Sequence, residues 1–97
     1  MKITIIITDE YEIWFEFLTI KEQAQVIKRL NRIQEFGVLG DSRNLREGLY
    51  ELRWKNGWRV YFIRVQNGIL LLLGGNKNDQ KKDIKKARKI ISRYTDN

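Results

Sequence analysis

The stretch Glu51–Lys77, ELRWKNGWRVYFIRVQNGILLLLGGNK, constrains this chain more than any other. It carries Asn56-Gly57 and Asn67-Gly68, each between apolar runs. Asn-Gly in that setting is the strongest short-range signal for a β-hairpin, so three strands joined by two turns are expected. Loop length then decides which side chains share a face. A two-residue loop, Asn56-Gly57, would set Arg53 opposite Val60. A three-residue loop, Lys55 to Gly57, sets Arg53 opposite Arg59, Leu52 opposite Val60 and Tyr50 opposite Phe62. Only the second leaves one clean apolar face, made of Tyr50, Leu52, Trp54, Trp58, Val60 and Phe62. A slip of one residue would mix the faces. The other face then holds Glu51, Arg53, Arg59 and Tyr61.

The third strand contains Ile69 to Leu73, an unbroken apolar run that suits a strand covered on both faces. A three-residue second loop, Gln66 to Gly68, sets Tyr61 opposite Leu73 and Arg59 opposite Gly75, with Lys77 just beyond on the same face. Gly74-Gly75 leaves room for another backbone or a ligand. Arg53, Arg59 and Lys77 around Tyr61 suit a phosphate backbone, with guanidinium forks for oxygens and an aromatic ring for a base. The same residues can equally be solvated positions on an exposed strand face.

At 97 residues the chain is long enough for one domain with one core. It has no cysteine and no histidine, which removes disulfides, zinc-thiolate sites, the usual general base and the usual transition-metal ligand. No carboxylate cluster suited to a metal-dependent nuclease stands out. No run is long enough to span a bilayer and the N-terminus does not read as a signal peptide, so the expected location is the cytoplasm. The net charge of +7 is uneven: residues 9–36 carry −2, residues 41–65 carry +3 and residues 76–97 carry +5. A basic field on the hairpin and the C-terminal segment points to a polyanion, nucleic acid first, or to an acidic protein.

Lys2 to Ile7 reads as a strand. Asp9 and Glu12 have capping-box spacing, and Tyr11, Trp14 and Leu18, widened by Phe15 and Phe17, form the apolar face of a first helix. Thr19 and Glu22 make a second capping box. The helix that follows has an apolar stripe of Ala24, Ile27, Leu30 and Ile33, a solvated face of Lys21, Gln25, Lys28, Arg29 and Arg32, and a stop at Gly37. Together the two helices form an αα-hairpin that covers one face of the sheet. Residues 37–48 have little periodicity and read as a connector. Its Arg43 and Arg46 are placed to reach RNA held on the hairpin. Asn78 or Asp79 caps a last, strongly basic helix with a stripe of Ile84, Ala87, Ile91 and Tyr94. Its outward Lys81, Lys82 and Lys85 are further RNA-binding candidates.

Glu51-Leu52-Arg53, Trp58-Arg59-Val60-Tyr61-Phe62, Leu72-Leu73-Gly74-Gly75-Asn76-Lys77 and Gln80 to Ala87 together resemble the RelE/ParE toxin superfamily. Within it they resemble the HigB-like and Gp49-like addiction-module killer proteins. The resemblance covers nearly the whole chain. It implies a single α+β domain over residues 1–97: an N-terminal strand, an αα-hairpin, an antiparallel three-strand meander and a C-terminal basic helix. It also implies a toxin held inactive by a cognate antitoxin of helix-turn-helix type. Such toxins stop translation by cutting mRNA, often on the ribosome, without metal or cofactor: the RNA 2′-OH attacks the adjacent phosphate. Arg53, Arg59 and Lys77 match the positions of the family's basic active-site residues. Relatives often carry a tyrosine early in the C-terminal segment, or a histidine, for proton transfer. Here Gln80 and Asp83 stand in that segment, so Tyr61, Glu51 and Asp83 are the acid/base candidates. ParE-type relatives inhibit DNA gyrase instead, and a nucleic-acid-binding module without toxicity is a third reading.

Overall fold

The computed structural model describes residues 2–95. Within them the elements run β1 (Thr4–Ile7), α1 (Asp9–Glu16), α2 (Ile20–Phe36), β2 (Ser42–Asn44), β3 (Leu49–Arg53), β4 (Trp58–Val65) and β5 (Gly68–Asn76); a single 3-10 turn (Lys77–Asp79) then leads into α3 (Gln80–Thr95). The strands form one sheet in the order β1-β5-β4-β3-β2. β1 lies parallel to β5, and the other neighbours are antiparallel. α1 and α2 cover one face over Leu52, Val60, Phe62, Ile69 and Leu71, with Tyr11 and Ile33 inserted. α3 covers the other face, setting Ala87 and Ile90 on Leu49, Tyr61, Ile63, Leu70, Leu72 and Leu73. Both faces of β4 and β5 are therefore buried, which accounts for the unbroken apolar run of β5.

The first hairpin has the expected register: Arg53 pairs with Arg59, Leu52 with Val60 and Tyr50 with Phe62. Gly57 closes the turn at φ 105, a conformation that side-chain-bearing residues avoid. The second hairpin differs. Its loop is only Gln66-Asn67, because Val65 pairs with Gly68 and Asn67 adopts φ 64. A bulge between Tyr61 and Phe62 then shifts the register by one. Beyond the bulge, Tyr61 faces Leu73 and Arg59 faces Gly75, as a three-residue loop would have placed them. The bulge also turns Leu72 and Leu73 to the same side, both into the core under α3.

Other details correct the sequence reading. Thr8, not Asp9, caps α1: its hydroxyl accepts from Tyr11 N and donates 2.7 Å to Leu72 O. The α2 stripe is Val26, Leu30 and Ile33, while Ala24 and Ile27 face out. Phe17 and Tyr94 are exposed rather than packed. The connector contains β2, which pairs Arg43 with Glu51. Asn76, not Asn78 or Asp79, caps the turn before α3 by accepting from Asn78 N and Asp79 N. The Thr19–Glu22 capping box and the left-handed Gly37 after α2 are as expected.

Candidate functional site

Facing residues of an antiparallel pair point to the same side of a sheet. Arg43, Glu51, Tyr61 and Leu73 thus form one row across four strands, and Arg53, Arg59 and Gly75 form the next. Both rows face α3. The solvated-face reading therefore fails for the central residues. Glu51 and Tyr61 are 0 % exposed, Arg59 is 7 % exposed and Asp83, from the first turn of α3, is 9 % exposed.

Burying these groups requires partners, and the structure supplies only some of them. Arg59 Nη1 donates 2.9 Å to Trp58 O, with a longer 3.5 Å contact to Trp54 O. Its Nε lies 3.9 Å from Glu51 Oε2, an ion-pair distance but not a hydrogen bond. Glu51 Oε2 accepts 2.7 Å from Gln80 Nε2 at the start of α3. Four atoms here are buried without a hydrogen bond: Glu51 Oε1, Arg53 Nε, Arg59 Nε and the Tyr61 hydroxyl.

Electrostatics separates the acid/base candidates. Burial first, then the charges of Glu51 and Asp83, push the Tyr61 phenol well above its ordinary value, and Arg59 offsets only part of this. Tyr61 is therefore held protonated, and the arginines do not make it a base. Burial first, then Asp79, raise Asp83, with Lys82 and Lys86 opposing. The glycine pair is not open space. A Cβ on Gly75 would lie 2.0 Å from Asp83 Oδ2, and one on Gly74 would lie 2.0 Å from the Trp14 ring. Both glycines are needed for close approach of these side chains, and the room expected for a ligand is filled.

Lys77 stands at the rim, exposed, with its N–H donating 2.8 Å to Gly57 O. Arg43 is exposed at the β2 edge of the Glu51 row. Arg46 sits in the β2–β3 turn at φ 82, where Arg88 of α3 contacts the carbonyls of Leu45 and Arg46. Lys81, Lys82 and Lys85 project into solvent from α3. The structure thus gathers Glu51, Arg53, Arg59, Tyr61 and Asp83 and leaves the other candidates around them. Gln80 joins the site although its sequence position marked it only as a departure from relatives. Its reach to Glu51 spans 29 residues and has no local signal. Among the described residues no three carboxylates cluster as a metal-binding set, and no helix is long and apolar enough to cross a membrane.

This arrangement is the RelE toxin fold. An E. coli RelE variant in the free state matches with TM-score 0.73 at 13 % identity, covering 92 % of this chain and 97 % of that one. The RelB–RelE antitoxin–toxin complex of Methanococcus jannaschii matches with TM-score 0.66 at 8 % identity, over 80 % and 96 %. The YoeB dimer of Staphylococcus aureus matches with TM-score 0.59 at 16 % identity, over 75 % and 94 %. At the level of sequence, residues 13–95 match the family described as phage derived protein Gp49-like, and the chain belongs to that family. An uncharacterized protein of Haemophilus influenzae is 39 % identical over 93 residues, covering 91 % of this chain and 92 % of the relative.

Proposed function

We propose that this chain is the toxin of a toxin–antitoxin pair and cleaves mRNA by 2′-OH attack on the adjacent phosphate. One observation carries the reading. Glu51 Oε1, Arg53 Nε, Arg59 Nε and the Tyr61 hydroxyl are buried without a hydrogen bond in two adjacent rows of one sheet. Unmet hydrogen-bonding capacity is costly and rare in folded proteins, and here it mixes donors with an acceptor, as a phosphodiester and its attacking hydroxyl require.

In this mechanism Arg59 and Arg53 meet the phosphate oxygens, and Lys77 adds charge from the rim. They stabilise the phosphorane, whose charge exceeds that of the ground state. Glu51 and Tyr61 are fully buried under α3, so this mechanism requires Gln80 and the start of α3 to move aside as RNA enters; Glu51 is then the group suited to take the 2′-OH proton, since Tyr61 is held protonated, and Tyr61 serves as a donor to the phosphate or leaving group. Asp83 packs on Gly75 and positions α3, and Gln80 orients Glu51. Arg43, Arg46, Lys81, Lys82 and Lys85 supply the surrounding field that draws RNA in.

The antitoxin partner covers the basic patch or a sheet edge with acidic or apolar side chains. β1 is such an edge, with Ile6 and Ile7 part-exposed. Association should be fast and slow markedly with salt. The test of activity is induction of Arg59 variants, with growth and transcript integrity scored beside a fold check. Losing a preorganised charge donor costs about 3 kcal/mol in the barrier, so Arg59→Ala should lower cleavage roughly a hundredfold. Arg59→Lys should recover only part, because an ammonium cannot make a two-pronged contact. Full toxicity from folded Arg59→Ala protein would reject the mechanism in favour of a non-catalytic target such as gyrase.

A further inference from the structure

A groove of ≈ 390 Å³ opens between α2, the 38–41 loop and the end of β3, on the side of the sheet away from α3. Its walls include Lys28, Arg29, Arg32, Lys55 and Trp54, with the carbonyl of Arg53 beneath and Asp41 as the one acid. The sequence pattern assigns Arg29 to a solvated face. Instead its guanidinium is half-buried 4.5 Å from the centre of the Trp54 ring. It donates to Leu39 O at 3.2 and 2.8 Å, to Asp41 O at 2.7 Å and to Arg53 O. Gly40, at φ +75, lets it lie close, since a Cβ there would be 3.2 Å from Nη2. This is a built floor, held by carbonyls and the Trp54 ring.

The groove therefore sets four cations, Lys28, Arg29, Arg32 and Lys55, against one carboxylate, Asp41. Among the described residues, none of these four bases forms an ion pair within 4.0 Å. Burial lowers the pKa of Arg29, and Asp41 offsets this only in part. A half-buried guanidinium whose hydrogen bonds all go to neutral carbonyls favours an incoming anion even beside one carboxylate.

We infer that this groove holds a nucleotide of single-stranded RNA flanking the cleaved one, with its base against Trp54 and its phosphates on Lys28, Arg32 and Lys55. The inference rests on the ribonuclease reading for its continuity: the Arg53 side chain lies in the Arg59 row that faces α3 while its carbonyl accepts from Arg29 in the groove, so one strand can pass from the site around the end of the hairpin. The aromatic wall favours RNA over an acidic peptide, because stacking on tryptophan is how sequence-tolerant single-strand binders hold bases. The volume falls in the small-ligand range.

The test uses the full chain and a short 2′-O-methyl RNA strand, which cannot be cleaved by 2′-OH attack, with binding read by anisotropy across salt concentrations. Lys28→Ala/Arg32→Ala should reduce the slope of log affinity against log salt by about 1.4, from about 0.7 for each lost single-strand phosphate contact. Affinity should fall roughly tenfold in the same variant. Trp54→Phe, which keeps a ring, should bind more weakly without changing the slope. In a cleavage assay the double variant should raise KM and leave kcat unchanged. Unchanged affinity and slope in the double variant would overturn the inference even if cleavage is confirmed. Loss of strand binding in the double variant, with no cleavage by the wild-type chain, would support the groove and reject the ribonuclease reading. A polyglutamate peptide that displaces the strand at equal charge would overturn the assignment to RNA. A ribosomal RNA fragment that binds through the same residues while a messenger-like strand does not would locate the source as the ribosome.

Discussion

Replacing Arg59 by alanine perturbs stability as well as chemistry, because it removes the cation from a carboxylate that solvent cannot reach. Glu51 is 0 % exposed, and Arg59 is the one cation within 4.0 Å of it among the described residues. Removing one partner of a buried ion pair costs about 3–5 kcal/mol, most of it for the charge left behind. The pair here is long, and Gln80 still donates to Glu51 at 2.7 Å after the change. The low end, about 3 kcal/mol, therefore applies. For a domain of this size that is a fall in Tm of roughly 15 °C. Glu51→Gln removes the orphan charge, so Glu51→Gln/Arg59→Ala should lose less than the two single changes added. The coupling should be about 1.5–3 kcal/mol in favour of the double variant. Urea unfolding of the four proteins measures it. Additivity within about 0.5 kcal/mol would refute the claim that Arg59 neutralises Glu51. Cleavage should stay lost in the double variant, because stability and charge stabilisation are separate contributions.

Gly75→Ala should lower Tm and cleavage together, since its Cβ would stand 2.0 Å from Asp83 Oδ2; in an Asp83→Ala background the Tm loss should shrink, and equal losses in both backgrounds would count against the contact. Thr8→Ala removes the α1 cap and the bond to Leu72 O, for a loss of about 1–2 kcal/mol by denaturant titration. Asp83 has a raised pKa in the fold, so the folded state binds more protons than the unfolded one between the two pKa values. Its contribution is present at low pH and is lost as pH rises from the ordinary aspartate value through the raised one. Stability measured against pH should fall over that window in the wild type and flatten there in Asp83→Asn.

The first hairpin was legible because a single register sorts its residues into an apolar and a charged face. The second loop was not, because Ile69 to Leu73 has no alternation to fix register and hides a bulge at Leu72. β2 carries Ser42, Arg43 and Asn44 and gains its order only by pairing with β3. Thr8 and Asp9 are both competent caps, and the contact from Thr8 to Leu72, 64 residues away, selects between them. The same limit applies to the site. Arg53, Arg59 and Tyr61 follow from strand alternation. The burial of Glu51 depends on where α3 docks, and so do the contact with Gln80 and the elevated pKa of Tyr61. The α2 stripe places Arg29 in solvent because the carbonyls that bury it come from the 39–41 loop and from β3.

The most direct measurement treats a single-stranded RNA with the purified chain in the presence of a chelator and identifies the product ends. The account predicts 2′,3′-cyclic phosphate and 5′-hydroxyl ends, and no cleavage where the nucleotide before the cut is 2′-deoxy. A chain that arrests growth while RNA stays intact on and off the ribosome, or that cuts the 2′-deoxy strand equally well, would contradict it.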